Sequence, residues 1–155
     1  MSEVKGMINW NFYRVIKSNE ISQLEKDIQF KLPEDYKSFV STQGLCEPES
    51  DMEDYEIGIE VNNDFFQLSY FYDPDDIKQQ LKLISEEEAK LKGKLVPFAI
   101  DSGDNWYAFF KKDIQTKIIF IPYGTHLSYI IEGKNFYPIA SSFTEFINNL
   151  KEFRI

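Results

Sequence analysis

The sequence has a single cysteine, Cys46, and a single histidine, His126. One cysteine excludes an internal disulfide and fits a reducing compartment. One Cys and one His leave a zinc site two ligands short. No apolar run approaches the roughly 18 residues of a membrane-spanning helix. Met1 to Gly6 has no apolar segment of the signal-peptide kind, and the first apolar cluster, Ile8 to Ile16, is broken by Asn9, Asn11 and Arg14. The expected location is the cytoplasm. Gly103 and Gly124 stand too isolated for a phosphate-cradling loop. Repeats, linkers and low-complexity tracts are also missing. One domain over residues 1–155 is therefore expected, a length that allows a sizeable core. The chain is 43% hydrophobic, too much for disorder. Its 16% aromatic content suits a strand-rich, ring-packed core.

A further absence is local. From Ser38 to Ile77 there is no Lys, Arg or His. The same stretch holds Glu47, Glu49, Asp51, Glu53, Asp54, Glu56, Glu60, Asp64, Asp73, Asp75 and Asp76. That block carries −11 against a net charge of −9, which leaves the rest of the chain at +2. Phosphate backbones repel so acidic a chain, so nucleic acid is not an expected partner. A base-free acidic surface attracts a basic protein and steers its approach.

Ser18 to Gly44 reads as two short helices meeting at Leu32-Pro33, with Ser18 or Asn19 as the first cap. Ile21, Leu24 and Ile28 share one helical face, and Pro33 suits the first position of the second helix. Tyr36, Phe39 and Val40 form its stripe, and Gly44 ends it. Ile8 to Lys17 is expected as an earlier helix burying Trp10, Tyr13 and Ile16, and Leu45 to Asp54 as a loop. Tyr55 to Val61 alternates as a strand, Asn62-Asn63 is a turn, and Asp64 to Phe71 returns. Asp73 caps a helix that starts at Pro74, buries Ile77, Leu81, Ile84 and Leu91, and stops at Gly93. Glu86 to Glu88 form its solvated face. Strands follow at Leu95–Ile100, Asn105–Phe110 and Ile118–Ile121, and then Leu127–Ile131 pairs with Phe136–Ile139. Ser141 or Ser142 caps a last helix carrying Phe143, Phe146, Ile147 and Leu150. The class is α+β, with a mostly antiparallel sheet of about five to seven strands wrapped by about four to five helices.

Three pieces together resemble the SUKH superfamily. The first is Ile21-x-x-Leu24-Glu25-x-x-Ile28-x-Phe30-x-Leu32-Pro33-x-Asp35-Tyr36-x-x-Phe39. The second is Val96-Pro97-Phe98-Ala99-Ile100-Asp101 with Gly103-Asp104 and an aromatic strand. The third is Ile139-Ala140-Ser141-Ser142-Phe143-x-Glu145-Phe146-Ile147. The resemblance implies a non-enzymatic fold of sheet and helices. It also implies one of two roles: a bacterial immunity protein that neutralises a polymorphic toxin, often a nuclease, or a regulator like the fungal cell-wall member. After Gly44 the chain departs from the commoner pattern and enters the acid-rich loop.

The expected partner is a cognate toxin, a basic nuclease, blocked sterically and electrostatically by a monomer or weak homodimer. The candidate partner-binding residues are Glu47, Glu49, Asp51, Glu53, Asp54, Glu56, Asp73, Asp75, Asp76, Asp104 and Trp106. No catalytic residue, metal ligand or cofactor is expected. Asp73 to Asp76 and Asp101 to Asp104 lack the oxygen spacing of a calcium loop and read as a helix cap and a hairpin turn. A hydrolase would need two carboxylates converging in a pocket, one of them shifted toward neutral pH. Cys46 as a nucleophile would need His126 beside it; its alternative is a small buried residue. Along Trp106 to Phe110, alternation puts Trp106, Ala108 and Phe110 on one side, and Tyr107 and Phe109 on the other. One side is core; the other is helix-covered or a binding surface.

Overall fold

A computed structural model describes residues 8–155, and it opens with strands where the pattern predicts a helix. The reading of Met1 to Gly6 lies outside the described residues. β1 (Ile8–Asn9) pairs with β4 (Glu49–Ser50), and β2 (Phe12–Arg14) with β3 (Leu45–Cys46), so the expected Leu45–Asp54 loop contains two short strands. The aromatic and β-branched run before Lys17 suits extended backbone, and Asn11, at φ 43°, turns the chain between β1 and β2. Gly44 makes the second pairing possible. It sits at φ 115°, and a Cβ there would lie 2.7 Å from the Arg14 carbonyl oxygen.

The helix pair follows as α1 (Ser18–Ile28) and α2 (Glu34–Thr42). Ile21, Leu24 and Ile28 are buried as their spacing requires. The cap position is Lys17 rather than Ser18 or Asn19, because Glu20 reaches back and its carboxylate accepts from the Lys17 N–H at 3.2 Å. Pro33 takes the position just before α2. The Glu25 carboxylate fixes the elbow by accepting from the Leu32 N–H at 2.7 Å and from Lys37 Nζ at 3.2 Å.

β5 (Tyr55–Val61) and β6 (Asp64–Gln67) form the expected hairpin, with Asn62 and Asn63 at φ 52° and 69°. The returning strand is shorter than expected, because the chain changes sheets at Leu68-Ser69. The Leu68 N–H donates to Ile57 and the next amide, Ser69, donates to Ile100. β7 (Tyr70–Phe71) then pairs with β8 (Leu95–Ile100). Between them runs α3 (Pro74–Glu87), capped by Asp73, whose Oδ1 accepts from the Asp76 N–H at 2.9 Å. α3 stops at Glu88, which is extended, and a 3-10 turn over Ala89–Leu91 carries the chain toward Gly93.

β9 (Trp106–Lys112) and β10 (Gln115–Ile121) complete the centre of an antiparallel sheet ordered β11-β10-β9-β8-β7. The expected strand Leu127–Ile131 is instead a short helix, α4 (Ser128–Ile131). Leu127 and Ile130 are buried while Tyr129 and Ile131 are exposed, a spacing of three rather than two, so this segment offers no strand edge for a dimer. β11 (Tyr137–Ala140) pairs with β10 in its place. After α5 (Phe143–Asn148) comes β12 (Lys151–Arg154), an unforeseen strand that joins β5 and β6 in a second sheet.

Both faces of the five-stranded sheet are covered. On one, Phe98 stacks on Phe109 at 4.2 Å, and Tyr36 meets Phe109 and Phe143 edge-on at 5.0 and 5.2 Å. That core takes in α1, α2, α5 and the β5–β6 hairpin. On the other, Leu95, Ala108 and Ile119 pack against Ile84, Leu91 and Ile130. The alternation along β9 is as expected, but neither side is free: Trp106 and Phe110 lie half-buried at opposite margins of the second core. The opening and closing motifs meet directly. Asp35 accepts from the Thr144 N–H at 2.8 Å and its hydroxyl at 2.9 Å, and Ser142 caps α5 through the Glu145 N–H at 3.1 Å. A carboxylate at a helix start satisfies free amides and the helix dipole together.

Candidate functional site

Tyr70, Ile100, Trp106 and Ile121 stand opposite one another across β7, β8, β9 and β10. Directly paired residues share a face, so these four form a row on the side where α3 packs. Where Ile84 and Ala108 are buried in one apolar cluster the sheet is sealed. Toward Trp106 it is not, and a groove of about 870 Å³ opens there. Ile100, Trp106 and Ile121 make its floor. Gln80 and Leu83 of α3 form one wall, and the segment from Pro122 to Leu127 forms the other.

The walls are tied down by polar contacts. Asn105 Oδ1 accepts from the Tyr123 N–H at 2.7 Å, and Glu87 Oε1 accepts from the Leu127 N–H at 3.2 Å. Tyr72 lines the groove together with Trp106. Burial pushes the Tyr72 hydroxyl up to about 12, against the lowering effect of the Trp106 side chain. Leu83 and Tyr123 remain strongly exposed, at 55% and 78%. Single exposed apolar residues are ordinary, but here they flank one cavity.

The rim is acidic. Asp104, at φ 65° in the β8–β9 turn, is exposed, and so are Glu86 and Glu87. No Lys or Arg among the described residues lines the groove, and the one basic ring, His126, lies 3.9 Å from Glu87. Beside the groove, the Tyr70 hydroxyl is pushed up by burial and then by the charges of Asp76, Asp104, Glu47 and Asp73. The Asp76 carboxyl is raised too, first by burial and next by Asp73. Tyr13 is raised in the same way by burial, Asp73 and Asp76, and its hydroxyl donates to the Phe71 carbonyl, which holds the β2 segment against β7.

The sequence candidates are thus distributed over two places. Glu47, Asp73, Asp76 and Asp104 lie within electrostatic reach of Tyr70, which is separated from Trp106 by Ile100. Asp75 is exposed and reaches Lys78 at 3.8 Å. Glu49 lies on β4, Glu56 on β5 opposite Phe153, and Asp51, Glu53 and Asp54 on the exposed turn between those strands. Of the eleven acids between Ser38 and Ile77, two reach a lysine among the described residues: Asp75, and Glu60 at 3.6 Å from Lys151.

Asp101 accepts from the Gly103 and Asn105 amides at 2.9 Å each, so it is spent on building the turn, while Asp104 points outward. Among the described residues no three of His, Cys, Asp and Glu gather as metal ligands. Cys46 is wholly buried, and burial pushes its thiol up to about 12, so at neutral pH it is not a thiolate nucleophile. Tyr70, Tyr72, Leu83, Ile100 and Tyr123 are the residues that the pattern missed. Leu83 was the visible signal, an apolar residue off the buried stripe of its helix; Glu86, assigned to a solvated face, stands on the rim.

The sequence profile of the SMI1/KNR4 family (SUKH-1) matches residues 16–149. No curated protein sequence matches the chain. No helix among the described residues is long and apolar enough to cross a membrane.

Proposed function

The chain belongs to the SMI1/KNR4 family (SUKH-1), and from that premise we propose that it is an immunity protein for one cognate basic toxin, a nuclease. The SUKH group is known for immunity proteins and is generally non-catalytic. The observation that supports the reading is that Glu47, Asp73, Asp76 and Asp104, from separate segments, all lie within electrostatic reach of the exposed Tyr70. Such a surface is complementary to the cationic groove in which a nuclease holds phosphates. It blocks that groove by occupying it, and its field raises the association rate. The cytoplasm, where nucleic acid needs protection, is the fitting place of action.

The test is binding to the product of the toxin gene adjacent to this one. Titration calorimetry at low salt should give a tight complex that weakens markedly at about 0.5 M salt, where charges more than several ångströms apart are screened. Nuclease activity should fall in step with occupancy. A purified pair that shows no association at low salt ends the proposal.

A further inference from the structure

We infer that the groove over Trp106 is a receptor for an arginine side chain presented by a basic protein. The inference deepens the proposed function and rests on it for the identity of that protein. Three observations carry it. The floor is apolar and aromatic, with Trp106 between Ile100 and Ile121 and with Tyr72 and Tyr123 at its borders. The rim carries Asp104 and Glu86, both exposed and without an ion-pair partner among the described residues. No lysine or arginine among the described residues lines the cavity to neutralise it. An apolar peptide would leave those carboxylates facing it, and an anion would be repelled. A cation fits.

Among cations, the chemistry selects guanidinium. It is planar and weakly hydrated, stacks on aromatic faces, and pairs with carboxylates through several N–H groups at once. An ammonium is compact and strongly hydrated, and gains less from an indole floor. The bound arginine lays its apolar stem along Leu83 and Ile121 and its head between Trp106 and the rim. Glu87 is already held by the Leu127 amide, so the free charge comes from Asp104 and Glu86.

The chain has two tryptophans, and Trp10 lies elsewhere, packed with Phe12 and Phe39. In a Trp10→Phe background, emission reports on Trp106 alone. The probe is an acetylated, amidated hexapeptide of alternating glycine and arginine, with lysine and citrulline counterparts. The arginine peptide should give a saturable change at least about fivefold tighter than the lysine peptide, with no response to citrulline. Asp104→Asn with Glu86→Gln should weaken arginine binding by about tenfold or more, and Lys111→Glu with Lys112→Glu should leave it unchanged. The indole N–H resonance of Trp106 in the unsubstituted protein gives the same reading without relying on the Trp10 variant. Equal binding of lysine or citrulline peptide overturns the inference, and so does indifference to the Asp104 and Glu86 changes. A toxin complex that survives those changes while peptide binding is lost overturns the arginine receptor and leaves the immunity reading standing. Arginine binding with no toxin complex does the reverse.

Discussion

Trp106 and Phe110 lie on one strand and one face of it, about 13 Å apart at the usual rise, yet their surroundings are opposite in sign. Over Trp106 the lining includes Asp104, Glu86 and Glu87 and, among the described residues, no Lys or Arg. Around Phe110, which meets Phe136 at 5.8 Å, two smaller cavities of about 470 and 440 Å³ are lined by Lys94, Lys111, Lys112 and Lys117, with Asp113 as their acid. The sheet is the same at both ends, and what differs is which loops reach over it. A β-strand offers neighbouring sites on one face at fixed spacing, and the connections at its two ends decide the charge of each.

Charge reversal is the strongest way to break this comparison. Glu47→Lys, Asp76→Lys and Asp104→Lys together should reduce toxin association at low salt by about 100-fold or more, while Lys111→Glu, Lys112→Glu and Lys117→Glu should change it by less than about twofold. Surface plasmon resonance at two ionic strengths measures both. Equal effects at the two ends would show that net charge, not the acidic end, attracts the partner.

The second contrast sets the groove against the sealed core. Phe109 is fully buried beneath Tyr36 and Phe98, so Phe109→Ala should cost about 3–5 kcal/mol in urea unfolding. Trp106 is half-buried in the floor of an open cavity, so Trp106→Ala should cost about 1–2 kcal/mol and show its main effect in partner binding.

Asp35 sharpens the picture from outside both ends. Its carboxylate joins the start of α2 to the start of α5, and Asp35→Ala should cost about 1–2 kcal/mol without changing partner affinity per folded molecule. Cys46 gives the smallest signal. Its thiol pKa is raised to about 12 in the fold, so the thiol stays protonated as pH rises from 7 to 9. Native protein should therefore label slowly with a disulfide reagent across that range, whereas urea-unfolded protein should label fast and faster with pH.

What could be read along the chain was local. Asp73 announces its helix through a cap and a following proline, Asn62-Asn63 marks a turn by tolerating positive φ, and Ile21, Leu24 and Ile28 declare a face by spacing alone. The misreadings share a cause as well. Ile8 to Lys17 and Leu127 to Ile131 are short apolar stretches that fit either period, and each took the form its neighbours could pair or bury. The switch at Leu68-Ser69 leaves no local mark, because it depends on which carbonyls, Ile57 and Ile100, two successive amides find.

The order of residues alone determined the Asp73 cap, the hairpin turn, the buried stripes and a stretch of forty positions without a base, since each of these is a property of near neighbours or of composition. Tertiary structure alone decided that Asp104 comes within electrostatic reach of Tyr70 along with Glu47, Asp73 and Asp76, and that Trp106 lies under a groove rather than under a helix. The reason is physical. Sheet register places residues from distant segments opposite one another, and only the path of the covering helix leaves one end of that row open to solvent.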